Sequence, residues 1–335
     1  TLVENSAEAV TWTAGWYAVS GTVTIDQPIT VNGEVHLILT DGCDLTAAKG
    51  IVVTSTNSLT IYAQSENGGT LNATGMTDDS GNASAGIGSS TSSDSGAITI
   101  HGGVINATGG STGSNGYGGA GIGGGGGGGD AGGAGSNITI YGGSVTAAST
   151  GTQFGGAGIG GGFGLRSGGA GNNIQIYGGT INATGGDSGA GIGGGGSSVI
   201  DDSSHKSGDG AVTISGGNVT AVGGNYAAGI GGGGGYYYST QYTSGGCTGG
   251  TGSVTISGGI VDASSPTDVY WTGYAGAPIG NGGNAGDTAA TVNKTTGIVF
   301  ENGAGTVCGA VTLDGSYTVP GDYTLNIPVG ASLSG

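Results

Sequence analysis

Ile98-Thr99-Ile100-His101-Gly102-Gly103 is the stretch on which the fold turns, because the chain repeats it. It returns as Ile138-Thr139-Ile140-Tyr141-Gly142-Gly143 and as Ile174-Gln175-Ile176-Tyr177-Gly178-Gly179. Val212-Thr213-Ile214-Ser215-Gly216-Gly217 and Val254-Thr255-Ile256-Ser257-Gly258-Gly259 follow, and Leu59-Thr60-Ile61-Tyr62 is a degenerate first copy. The second aliphatic positions (61, 100, 140, 176, 214 and 256) are separated by 39, 40, 36, 38 and 42 residues. A period in this range marks a solenoid or a propeller-like array.

Alternation along Ile98-Thr99-Ile100 sends the isoleucines to one side of a strand and Thr99 to the other. The Gly-Gly pair allows a sharp turn with positive φ. A second short strand follows in each copy, as in Ile105-Asn106-Ala107, Ile181-Asn182-Ala183 and Val261-Asp262-Ala263. After a variable loop comes a Gly-Ile-Gly block, centred on Ile87, Ile122, Ile159, Ile192 and Ile230, with Pro278-Ile279-Gly280 as its last variant. Three short strands per repeat, each pointing small or aliphatic residues inward, make one triangular coil. One coil cannot bury its own apolar face, so neighbours must stack at about 4.8 Å. The expectation is an all-β, right-handed parallel β-helix with glycine-rich coils and long variable loops. The glycine runs 123–129, 160–162, 193–196 and 231–235 are expected above one another, hydrogen-bonded between coils in a polyglycine-II-like form.

Residues 1–58 read as N-terminal capping coils, 59–293 as six repeats, and 294–335 as C-terminal coils that continue in a larger parent protein. The chain opens at Thr1 without a signal peptide and reads as a mature fragment.

Of 335 residues, 87 are Gly and 5 are Pro, which excludes collagen. Recurrent Ile and Val between the glycines exclude a flexible linker. Four Lys and Arg against 21 Asp and Glu leave a net charge of −17, so nothing neutralises the phosphates of nucleic acid or an anionic membrane surface. No apolar run reaches the roughly 20 residues of a membrane span, so no membrane insertion is expected. Acidity of this degree attracts cations, and Ca²⁺ is the cofactor considered. Cys43, Cys247 and Cys308 are too few and too irregular for a disulfide framework or a zinc site. Cys247 with Cys308 is the pair weighed for a bridge.

Other motifs have bland readings. Matches to G-x-G-x-x-G precede no helix. Gly125 to Asp130 resembles the start of a calcium-binding nonapeptide, but such repeats work in tandem. The Asn-X-Thr sequons at Asn72, Asn106, Asn182 and Asn218 are expected to form a stacked polar ladder rather than glycan acceptors. The threonine column (60, 99, 139, 213, 255) is broken by Gln175 and flanked by Tyr62, His101, Tyr141 and Tyr177, which argues against an ice-binding face and for a solvated one.

Trp12-Thr13-Ala14-Gly15-Trp16-Tyr17, His36-Leu37-Ile38-Leu39-Thr40-Asp41-Gly42-Cys43, Leu59-Thr60-Ile61-Tyr62 and the tandem Ala-Gly-Ile-Gly-Gly-Gly blocks together resemble large secreted or wall-anchored proteins of Gram-positive, often gut-dwelling, bacteria. The resemblance covers nearly the whole chain. It implies an extracellular, carbohydrate-binding or adhesin-like β-helix module, and it carries no catalytic motif onto these positions.

The candidate site lies in the later loops. One carries Asp201, Asp202, His205 and Lys206, and the next coil's equivalent carries Tyr236, Tyr237, Tyr238 and Tyr242. A third loop carries Asp268, Tyr270, Trp271 and Tyr274. Aromatic faces pack on sugar C–H surfaces and carboxylates accept sugar hydroxyls, so the expected partner is a glycan or cell-surface polysaccharide. The plain alternative is that these tyrosines cover loop backbone. Asp201 or Asp202 with Asp268 or Asp262 would serve a glycoside hydrolase if set about 5–9.5 Å apart. A lyase would draw its base from Arg166 or Lys206. A structural stalk is the third reading. Oligomeric state is not legible.

Overall fold

The computed structural model describes residues 1–65, 68–110, 116–129, 131–199, 205–237, 247–266, 275–286 and 288–335, with backbone alone at 199, 236 and 237. No described residue is helical; the chain is built of short strands. Ala97–Ile100, Gly135–Ile140, Gly171–Ile176, Gly210–Ile214 and Gly252–Ile256 stack in parallel, isoleucine over isoleucine: Ile100 opposes Ile140, which opposes Ile176. The inward aliphatics of this column are almost fully buried, while Thr99, Thr139, Gln175, Thr213 and Thr255 face out. The second strands, such as Val104–Thr108 and Thr180–Thr184, form an 11-stranded sheet whose buried column alternates Ile or Val with Ala. On its outer side Asn106 Nδ2 donates to Asn72 Oδ1 at 2.9 Å, but the asparagine ladder expected from the sequons ends there, because Thr146 stands between Asn106 and Asn182 and Asn218 opposes Thr180. The second glycine of each Gly-Gly pair (103, 143, 179, 217, 259) lies at φ between +84° and +95°, the conformation the turn requires. The fold is the right-handed parallel β-helix read from the sequence.

The Ile-Gly strands belong to the same 16-stranded sheet as the Ile-Thr-Ile strands. The reason is Ile29–Leu39, one long strand near the N-terminal end. Its first part pairs with Ile51–Val53, which starts the Ile-Gly column; its last part pairs with Ser58–Ala63, which starts the Ile-Thr-Ile column. Later coils split that strand and insert a loop at the bend. The variable loops after each Gly-Ile-Gly block are therefore insertions into an otherwise continuous strand. Their glycines hydrogen-bond as a rail along the axis: Gly162 N to Gly133 O, Gly169 N to Gly162 O, Gly195 N to Gly169 O, Gly208 N to Gly195 O and Gly233 N to Gly208 O, each 2.9 Å.

The C-terminal end departs from simple stacking. Gly297–Glu301 pairs in parallel with Ile260–Ser264 but antiparallel with Ala304–Cys308. The two residues between, Asn302 (φ 48°) and Gly303 (φ 81°), both take positive φ, as a two-residue primed hairpin turn demands. Ile298, Phe300 and Val307 centre a second, smaller apolar cluster beneath this hairpin. All three cysteines are free, so Cys247 and Cys308 are not bridged.

Candidate ligand-binding surfaces

Asp201, Asp202, Tyr238, Tyr242, Asp268, Tyr270, Trp271 and Tyr274 lie outside the described residues. Tyr236 and Tyr237 are on the strand Gly235–Tyr237, which pairs in parallel with Ser197–Val199. Downstream, His205–Lys206 pairs with Cys247–Thr248. The flanks of the first two loops are thus stacked on both sides, as equivalent corners of neighbouring coils require. The third loop leaves the other corner, yet its base is close. Gly234 N donates to Ser188 O (2.7 Å) and Gly283 N to Tyr226 O (2.5 Å), tying one corner to the other across the two-residue Ile-Gly strand. Ser265 Oγ donates to Gly276 O (2.7 Å) and closes the third loop at its foot.

The described residues around these bases are structural in character. Cys247 opposes His205 in register and lies 2.8 Å from Ser197 Oγ, which is 2.8 Å from Ser207 Oγ. All four are buried. Burial pushes the Cys247 thiol up, outweighing the serine hydrogen bonds that act the other way. A buried, protonated thiol is a poor nucleophile. Lys206 Nζ is bound to Asp209 Oδ2 at 2.7 Å. Burial opposes ionisation of Asp209, but Lys206 and two bonds from Thr251 prevail and hold its carboxyl below the usual range. Asp262 accepts from Tyr323 Oη at 3.0 Å, on the outer side of the other sheet. Among the described residues, no three His, Cys, Asp or Glu side chains are grouped to hold a metal.

Asp187, which sequence reasoning passed over, sits at the joined corners and accepts from Asn225 Nδ2. Burial pushes its carboxyl up to about 6, against the lowering effect of Asn225. The folded chain therefore keeps this proton to higher pH than the unfolded chain does. The associated stability is fully present below about pH 4 and is lost as pH rises through 6. After discounting for partial solvent screening, the loss is on the order of 1–2 kcal/mol. Asp187→Asn is expected to flatten this slope and melt higher than the parent at pH 7. Melting curves of both proteins from pH 4 to 7 check it; parallel slopes would refute the assignment.

The second surface is the outer side of the Ile-Thr-Ile column. The residue after each second isoleucine projects outward, and in successive coils these are Tyr62, His101, Tyr141 and Tyr177. Tyr62 stacks on His101 at 4.8 Å and 3°, His101 on Tyr141 at 4.8 Å and 5°, and Tyr141 on Tyr177 at 5.0 Å and 10°. Trp16 extends the row, 5.5 Å from Tyr62 and 4.3 Å from His36. The spacing equals the distance between coils, so the backbone sets the row and the rings follow. From Ser58 to Ser257 the outward positions of this column are Ser, Thr, Ala, Asn, Gln, Tyr and His, with no Asp, Glu, Lys or Arg. The sequence signal was present: an aromatic residue follows the second isoleucine in four consecutive copies. It reads as a row only once register is known.

Residues 67–91, 138–163, 174–196 and 212–234 match a family model described as Beta helix repeat. Three of the four segments begin at the first aliphatic residue of an Ile-Thr-Ile strand and end in or one residue past the glycine run, one coil at a time. No curated protein and no solved structure matches the chain. Fold and repeat together define a β-helix protein.

Proposed function

We propose that the chain is an extracellular glycan-binding or adhesive module of a larger bacterial surface or secreted protein. One observation carries this reading. From Ser58 to Ser257, a chain of net charge −17 keeps Asp, Glu, Lys and Arg off the outer side of one column and fixes a row of aromatic rings there among hydroxyls and amides. Such a surface suits an uncharged polyol, whose hydroxyls need hydrogen-bond partners and whose C–H faces need rings. The loop residues Tyr236, Tyr237, Tyr238, Tyr242, Tyr270, Trp271 and Tyr274 are proposed as a second contact region, rooted on the joined corners. No observation favours cleavage by Asp201, Asp202 or Asp268 over binding.

The test is a glycan array probed with the purified chain, with and without Ca²⁺. Selective binding to neutral glycans is expected, weakened at least tenfold by the double change Tyr141→Ala/Tyr177→Ala. Loss confined to Tyr237→Ala/Trp271→Ala, or a strict need for Ca²⁺, would transfer recognition to the loops. A blank array would defeat the reading in favour of a stalk.

A further inference from the structure

The ring row stops at Tyr177. The same backbone step continues the column, since Ser215 N donates to Ile176 O and Ser257 N to Ile214 O, just as Tyr177 N donates to Ile140 O, each 2.8 Å. The next two side chains are therefore serines, joined Oγ to Oγ at 3.2 Å. Tyr62, His101 and Tyr141 each have a following ring over their C-terminal face. Tyr177 has none among the described residues: its one ring partner there is Tyr141, on the opposite face.

Tyr177 does not stand alone. Its Oη donates to Gln175 Oε1 (2.5 Å), Gln175 Nε2 to Asn173 Oδ1 (2.6 Å), and Asn173 Nδ2 to Asn137 Oδ1 (2.8 Å). These bonds hold one ring and two amides in a line across the solenoid. The backbone changes at the same place. Gly171 pairs with Gly210 and Ile174 with Val212, so two residues, 172 and 173, oppose the single residue 211. This bulge gives Asn173 its outward place, with φ at 54°. The two following coils lack it and present only short side chains: Ala211, Thr213 and Ser215, then Ser253, Thr255 and Ser257. The result is a step, with a pre-organised wall of ring and amides above a floor of hydroxyls.

We propose that this step seats a pyranose ring of an uncharged glycan. One C–H face lies on the open face of Tyr177, and hydroxyls reach the Gln175 and Asn173 amides, each of which keeps an N–H to donate. Thr213 and Ser215 meet the other edge. The glycan chain then crosses the solenoid parallel to the strands, because the wall runs that way. A protein partner fits less well: the floor holds no large apolar side chain to anchor one, and no charge to pair. The inference rests on the glycan-binding reading and adds where and in which direction the sugar lies.

Affinity electrophoresis separates the two claims. The probes are gels containing β-1,4-glucan, β-1,4-xylan, β-1,4-mannan or amylose, with polygalacturonate and alginate as anionic comparators. Retardation is expected in at least one neutral gel and not in the anionic ones. Tyr177→Ala removes the stacking face, and Ser215→Tyr covers it by adding one more ring to the row. Each is expected to weaken binding at least tenfold. Ser215→Tyr occupies an exposed position in the register that already carries rings, and an unchanged melting temperature verifies its fold. Asn182→Ala, on the other sheet, is expected to bind as the parent does. Full retardation of Ser215→Tyr would overturn the step as the site while leaving glycan binding intact. Retardation in the anionic gels alone would overturn the uncharged ligand, and none in any gel would remove both claims.

Discussion

Gly208→Ala is expected to leave the solenoid unfolded or to cost it more than about 4 kcal/mol, the range reserved for severe steric failure. A β-carbon at Gly208 would lie 1.8 Å from the carbonyl oxygen of Gly169 and 2.6 Å from its carbon. These neighbours are backbone and cannot rotate away. Nor can the backbone retreat, because Gly208 N–H is bonded to Gly195 O while its own carbonyl accepts from Gly233 N. The difficulty is space and not conformation. Gly133, Gly169 and Gly250 are in the same position, with carbonyl oxygens 1.7 to 1.9 Å from the added atom. Gly129 is the internal contrast: it ends one of the same runs and meets nothing within 4 Å. Gly129→Ala is expected to fall within about 0.5 kcal/mol of the parent. Urea denaturation followed by circular dichroism measures both, and parental stability in Gly208→Ala would show that the rail is not close-packed.

Ile140→Ala is expected to cost about 3–5 kcal/mol, toward the upper part of the range for buried aliphatic truncation. Ile140 is fully buried, with Ile100 on one side and Ile176 on the other in strict register. A cavity there closes only if neighbouring coils approach, and parallel ladders on both sides hold them at one coil spacing. Ile140→Val keeps most of the volume and is expected to cost about 1 kcal/mol. The double change Ile140→Ala/Ile176→Ala is expected to depart from additivity, because the two side chains share one cavity. The same denaturation experiment reads all three. A loss below about 1 kcal/mol in Ile140→Ala would mean that the coils slide together freely, against the ladder geometry.

Much of this architecture was legible in the chain because its interactions are local in period. Isoleucine alternation names the inward face, and paired glycines name the turn whose second residue needs positive φ. Other features were written in the sequence but passed unread. Asn302-Gly303 is a two-residue hairpin signal, and it reverses the chain where another parallel coil was expected. The aromatic residue after the second isoleucine in four consecutive copies, read from sequence, speaks only against an ice-binding face.

The site depended more heavily on the third dimension. Variable loops make the repeats 36 to 42 residues long, so no spacing shows that Ser188 and Gly234 are bonded or that His205 and Cys247 are opposed. The end of the ring row has the same origin. Tyr177, Gln175 and Asn173 were visible as residues, yet the bulge that sets Asn173 outward exists only relative to the next coil. What the sequence determined alone was the coil: which residues turn inward, where the chain bends, and that coils must stack to bury them. Only the tertiary structure decided register, and with it which loops share a corner, which glycines touch backbone and which ring is left open. The physical reason is that burial of alternating aliphatics acts within a coil, whereas stacking, close packing and loop contact act between coils, at positions the period alone does not specify.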